Sequence, residues 1–304
     1  MKKILRDLET ELALIAQDFA EAGAPIAELL QRGFVWSQIE PKDVLFVGLN
    51  PSFPKDAQCG SFSFDPQQAV RVYPRFFKPF QNLADACGVG DNWTYLDLLF
   101  IRETSQRKVI DLLKTEEGVQ FIIRQLQLSM GLIERLRPKL IIVCNAAAVN
   151  FFGVRATIDE HGEHNIWMGY EFEFDPRFGV EVVAGLHPKT IKPGEKSTVL
   201  TDTPVLFGGA LTYQDQFTKK RLAWQIQRLL HFHDLYFQPN ANEFKPNVMN
   251  RLYDIYGAIR EVQLNKQVSA ENQQYEIMAY FRDKESELYA QVLDVLMEVL
   301  DYRW

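Results

Sequence analysis

Apolar positions along this chain of 304 residues follow two rhythms. Near the amino terminus Leu5, Leu8, Leu12, Ile15 and Phe19 recur at three- and four-residue steps, which predicts an amphipathic helix over 3–20. Gly23 and Pro25 interrupt it, and a second short helix is predicted over 26–33. The rhythm then changes. Val44-Leu45-Phe46-Val47-Gly48 is a continuous apolar run, which reads as a strand buried on both faces and so as part of a parallel sheet covered by helices. Further strands are predicted over 93–101, 139–144 and 180–186. Helical spacing separates them, over 66–72, 76–87, 105–114, 116–136 and 146–152, and returns over 214–234. Residues 166–174 alternate instead, through Ile166, Met168, Tyr170, Phe172 and Phe174, as one arm of a hairpin does.

This order of strands and helices predicts an α/β protein: a three-layer α/β/α sandwich with a small parallel sheet of about four strands. The α/β domain is expected over 1–239, including the amino-terminal helices of 3–33. A linker near 240–246 leads into a helical extension within 240–304. There Leu288, Val292, Val295, Leu296 and Val299 form one apolar stripe, suited to packing on the core or on a second subunit.

Composition narrows the class. Hydrophobic residues make up 47% and charged residues 24%, which is ordinary for a globular protein. No apolar run approaches the roughly 20 residues that span a bilayer. The first residues lead into an acidic amphipathic stretch, unlike a signal peptide, so a cytoplasmic protein is expected. Three widely spaced cysteines, Cys59, Cys87 and Cys144, suit neither a disulfide framework nor a four-cysteine cluster. His161 and His164, beside Asp159, Glu160 and Glu163, read as a solvated loop, so no metal and no cofactor are expected. Net charge is −7, of which residues 241–304 supply −4, leaving −3 for the rest. That balance argues against coating nucleic acid through bulk charge, but leaves room for a local basic patch.

Two strands end in matching grammar. Gly48-Leu49-Asn50-Pro51-Ser52 follows the first, and Gly185-Leu186-His187-Pro188-Lys189 follows the fourth. Each holds a polar side chain immediately before a proline, which restricts it to extended backbone. If both strands run parallel, Asn50 and His187 face each other across one pocket at the carboxyl edge of the sheet. An amide and an imidazole placed so can orient a water and donate to a developing anion.

The two motifs, in this order, resemble those of the uracil-DNA glycosylase superfamily. Tyr73-Pro74-Arg75-Phe76-Phe77-Lys78-Pro79-Phe80 is similar to an aromatic helix of its mismatch-specific branch, and 139–148 to its third strand and following helix. The resemblance covers about 40–235. It implies excision of uracil or a related damaged base from DNA, after the base is flipped into a pocket. It implies that Asn50 positions the water and His187 donates to the leaving base. Pro51 and Ser52 would lie near the phosphate backbone. Phe62, or failing it Phe64, would stack on the base, and Asp97 stands where members read the base with asparagine. Lys189, Thr190, Ile191 and Lys192 would enter the duplex, with Ile191 as wedge and Lys196 behind. Arg75, Lys78, Arg102 and Arg107 would add phosphate contacts. Two alternatives stay open: a superfamily fold that binds nucleic acid or a nucleotide without catalysis, and a hydrolase of small nucleosides. Dimerisation through the carboxyl-terminal helices is a further expectation.

Overall fold

The computed structural model describes residues 2–159, 162–175, 178–187, 197–231, 246–272 and 274–300. The chain opens with α1 (Lys2–Asp18) and α2 (Ala24–Arg32), followed by β1 (Val35–Ser37), β2 (Val44–Gly48) and β3 (Phe62–Phe64). Asp65 then accepts hydrogen bonds from Gln67 N and Gln68 N and so caps α3 (Pro66–Val72). Pro74 starts α4 (Pro74–Ala86), which leads to β4 (Trp93–Asp97) and α5 (Gln106–Asp111). Thr115 caps α6 (Glu116–Leu136), which precedes β5 (Leu140–Cys144). Asn145 caps α7 (Ala146–Phe152) by accepting from Ala147 N and Ala148 N. A small ribbon, β6 (Thr157–Asp159) and β7 (Gly162–His164), precedes β8 (Tyr170–Asp175), β9 (Val180–Leu186) and β10 (Pro204–Gly208). The described helices close with α8 (Gln216–His231), α9 (Pro246–Glu271) and α10 (Tyr275–Leu300).

The main sheet has six strands in the order β4-β2-β5-β10-β9-β8. β4, β2, β5 and β10 pair parallel, whereas β9 runs antiparallel to β10 through Pro204↔Val182 and Val205↔Glu181. The expectation of about four parallel strands is therefore corrected in two ways. The sheet is larger and mixed, and the strand at 180–186 points the other way. The fourth parallel strand is instead β10. A parallel β9–β10 pair would need a crossover, usually a helix, and the described part of that connection holds none.

Helices pack on both faces of the sheet. On one face Leu45, Val47, Leu96, Ile141 and Val143 join Leu8, Leu12 and Ile15 of α1 and Ile122, Leu126 and Ile133 of α6 in one core. On the other, Phe46 meets Phe80 of α4 at 5.1 Å and Trp93 at 5.6 Å between ring centroids. β2, β4 and β5 are buried along their whole length; β2 and β5 are accordingly apolar runs and not alternations, whereas β4 buries Thr94 and Asp97 among its apolar residues.

The chain divides into two compact units. One comprises Met1–Glu173 with Glu181–Leu230, the other Phe174–Val180 with His231–Trp304. In the second, α9 and α10 bury Leu252, Tyr256, Ile259, Leu288, Val292 and Val295. The tip between β8 and β9 belongs to this unit, where Gly179 (φ 61°) lies so close to the Tyr256 ring that a Cβ would collide with it. Among the described residues no helix is long and apolar enough to cross a membrane.

Candidate functional site

The parallel strands end level with one another. Gly48 pairs with Asp97, Val47 with Val143, and Cys144 with Gly208. The segments that leave this edge, after β2, β4, β5 and β10, are the natural place for a ligand in such a sheet.

Asn50 sits half-buried two residues beyond β2. Its Nδ2 donates to Glu103 O at 2.7 Å and Pro51 O at 2.9 Å, with Ile101 O at 3.4 Å. Three carbonyls around one group settle which end of the amide is NH2. Oδ1 is thereby held as the outward acceptor. The loop that supplies two of those carbonyls is fixed from below. Buried Gln125 of α6 accepts from Phe100 N at 2.9 Å and Ile101 N at 3.3 Å, which draws the chain out of β4. The strand expected over 93–101 accordingly ends at Asp97.

The same loop is braced by two arginines. Glu103 accepts from Arg32 Nη1 at 2.6 Å and from Ser105 N at 2.8 Å. Burial pushes its carboxyl up, but the Ser105 amide and the Arg32 guanidinium outweigh that and hold it below the usual carboxylate range. Arg102 is buried, and its Nη1 donates to the carbonyls of Arg32, Gln58 and Gly60. Its guanidinium lies 4.8 Å from the Phe53 ring centroid and 5.2 Å from that of Phe62.

Asp97 is buried, and its Oδ1 accepts from Tyr95 Oη at 2.6 Å. Burial pushes the Asp97 carboxyl up to about 7, against the opposing pull of the Tyr95 hydroxyl. The pair fits over the end of β2 because residue 48 is glycine. A Cβ there would collide with Tyr95 Oη and Asp97 Oδ1. Tyr95 is walled by Phe76, Phe77 and Phe80 at 5.2–5.9 Å. Burial also pushes the Cys144 thiol far up, so it stays protonated and inert.

The structure sorts the expected residues. Asn50, Pro51, Ser52, Phe62 and Asp97 all belong to this edge and its loops. Ser52 is exposed, and Phe62 presents 45% of its surface. Phe64 instead packs on Phe77 at 5.5 Å, as part of the wall behind the site. Arg102 is committed to main-chain carbonyls and is not a phosphate contact. Arg75 and Lys78 are exposed.

His187 does not join them. It is buried, follows β9, and donates its backbone N–H to Gly169 O at 2.7 Å. Because β9 is antiparallel to β10, His187 lies at the edge opposite Asn50. The shared pocket of these two residues is thus corrected: the direction of one strand separates them. Lys189, Thr190, Ile191, Lys192 and Lys196 lie outside the described residues.

The segment that does share the edge with Asn50 is Gly208-Gly209-Ala210-Leu211-Thr212-Tyr213, after β10. Sequence reading passed over it, since it carries neither histidine nor proline. Arg32, Phe53 and Glu103 were also missed, and only their three-dimensional contacts reveal them. Among the described residues no group of three or more His, Cys, Asp or Glu could hold a metal ion. No protein-family model matches the chain, and no curated protein matches it either.

Proposed function

We propose that this carboxyl edge is a nucleobase site, and that the chain is a DNA glycosylase excising uracil or a related damaged base, built on a three-layer α/β/α sandwich. The observation that carries the reading is the clamp on Asn50, which fixes its amide and aims one carbonyl oxygen outward. An immobilised neutral acceptor suits orientation of a water at C1′ of a flipped nucleotide. Phe62 offers a ring for the base. Asp97, kept neutral below about pH 7, is a hydrogen-bond donor for the carbonyl of the departing base. The water oxygen bonds to C1′ as the C1′–N bond breaks, the base leaves as an anion steadied by that donor, and the proton lost by the water ends on the departed base. The role first expected of His187 passes to Asp97, which lies on the correct edge.

The test is strand scission by hot alkali after incubation with oligonucleotides that each carry one deaminated or oxidised base. Asn50→Ala should lower abasic-site formation about 100-fold or more, the scale of a lost positioned group. Asp97→Asn should abolish the decline in rate above pH 7. His187→Ala should leave the chemical step unchanged. Failure of the parent chain to act on any base in the panel removes the reading.

The separation of His187 from Asn50 favours a second reading: a protein of this fold that binds nucleic acid or a nucleotide without turnover. Its signature is binding that survives Asn50→Ala, with no abasic product from the parent.

A further inference from the structure

Residues 71–78, Arg-Val-Tyr-Pro-Arg-Phe-Phe-Lys, cross the junction between α3 and α4. No acidic residue occurs between Asp65 and Asp85, although the chain holds 40 Asp and Glu. Arg71, Arg75 and Lys78 are all exposed, and none has an acidic partner among the described residues. Between them stand exposed apolar groups. Val72 shows 66% of its surface, Tyr73 61% and Phe76 44%. Phe77 and Phe80 pack on Tyr95, and Phe76 does so while leaving part of its ring exposed, whereas no ring among the described residues packs on Tyr73. The 3-10 turn Leu211–Tyr213, which leaves β10 at the edge bearing Asn50, packs against α4 and exposes 86% of Tyr213.

We infer that this surface binds single-stranded DNA, with Tyr73, Phe76 and Tyr213 stacking on bases and Arg71, Arg75 and Lys78 meeting phosphates. The choice of DNA as the polymer rests on the glycosylase reading; the preference for one strand does not. Rings exposed beside cations match unstacked bases on a flexible backbone, whereas paired bases present no free face. On a chain of net charge −7 this cluster of three cations without an intervening acid gives a polyanion a local foothold. The strand would run past Asn50 and deliver a base that needs no unpairing.

The experiment is fluorescence anisotropy of labelled oligodeoxythymidylate, about a dozen nucleotides long to fit common single-strand site sizes. A duplex and an oligouridylate of equal length run alongside. The single DNA strand should bind tightest. Tyr73→Ala and Tyr213→Ala should each weaken binding about tenfold, and Tyr73→Phe should restore it. Arg71→Ala with Lys78→Ala should make the dependence of log affinity on log salt shallower by about 1.4, at ~0.7 per phosphate contact. Equal or tighter binding of duplex overturns the inference, as does binding indifferent to both tyrosines. Tighter binding of the RNA strand overturns the assignment to DNA. Loss of abasic product with tyrosine-dependent binding intact would remove the glycosylase reading and leave this surface standing. Product formed by a chain indifferent to Tyr73 would do the reverse.

Discussion

Asp97 is held among apolar walls with a single hydroxyl for company, and its stability cost follows from that placement. In the unfolded chain an aspartate titrates near 3.9; in the fold burial raises it to about 7. Below about pH 4 both states are protonated and the site is neutral in the balance. Between about 4 and 7 the folded state holds a proton that the unfolded state has released, so stability falls as pH rises. Above 7 the full cost is present, on the order of a few kcal/mol at ~1.36 kcal/mol per unit. Asp97→Asn keeps an acceptor for Tyr95 and cannot ionise. Urea unfolding from pH 4 to 8 should therefore show the variant gaining on the parent as pH rises. Parallel profiles would mean that the carboxylate is solvated in the native state. The sequence placed Asp97 on the right strand, but its protonation depends on Tyr95 and on Gly48, a contact no linear motif records.

At the scale of elements, Arg102 joins three pieces that are distant in sequence. It ties the end of α2, through Arg32 O, to the loop at Gln58 and Gly60, while its guanidinium lies against Phe53 and Phe62. Arg102→Met keeps much of the bulk and removes the donors. It should cost about 1–3 kcal/mol, the scale of polar groups left unpaired, and should make 53–61 sensitive to a protease that the parent resists. Arg107→Ala, outside this network, is the control; equal resistance in both variants would show that the loop does not depend on the Arg102 guanidinium.

The same scale explains what was readable. β2 and β5 announced themselves because strands buried on both faces are apolar almost throughout, and β4 through its aromatic residues. Pro204 at the start of β10 and Gly208 at its end disguised it as a turn. The loop at His187 copied the grammar of the loop at Asn50, yet side-chain pattern carries no strand direction. Direction is shown only by the pairing of β9 with β10, Pro204 opposite Val182 and Val205 opposite Glu181. One reversed strand was enough to move a candidate residue from one edge to the other.

For the whole molecule, the division of the core sets the order in which parts open. The large core runs from α1 through the sheet, and none of its residues belongs to α9 or α10. Those helices bury a smaller set around Leu252, Tyr256, Ile259, Leu288, Val292 and Val295. Tyr256 is the hub of the second unit: it is 6.5 Å from the Phe174 ring, touches Gly179, and has Arg260 stacked on Phe174 at 5.0 Å beside it. Local opening free energy follows the apolar contacts that must be broken. Native-state hydrogen exchange should then find the amides of α9 and α10 opening at lower free energy than those of β2 and β5, which should exchange only by global unfolding. Tyr256→Ala, at about 3–5 kcal/mol for a buried aromatic ring, should deepen that gap by releasing the helices while β2 and β5 keep their protection. If instead all four elements lost protection together, the two units would open as one cooperative fold.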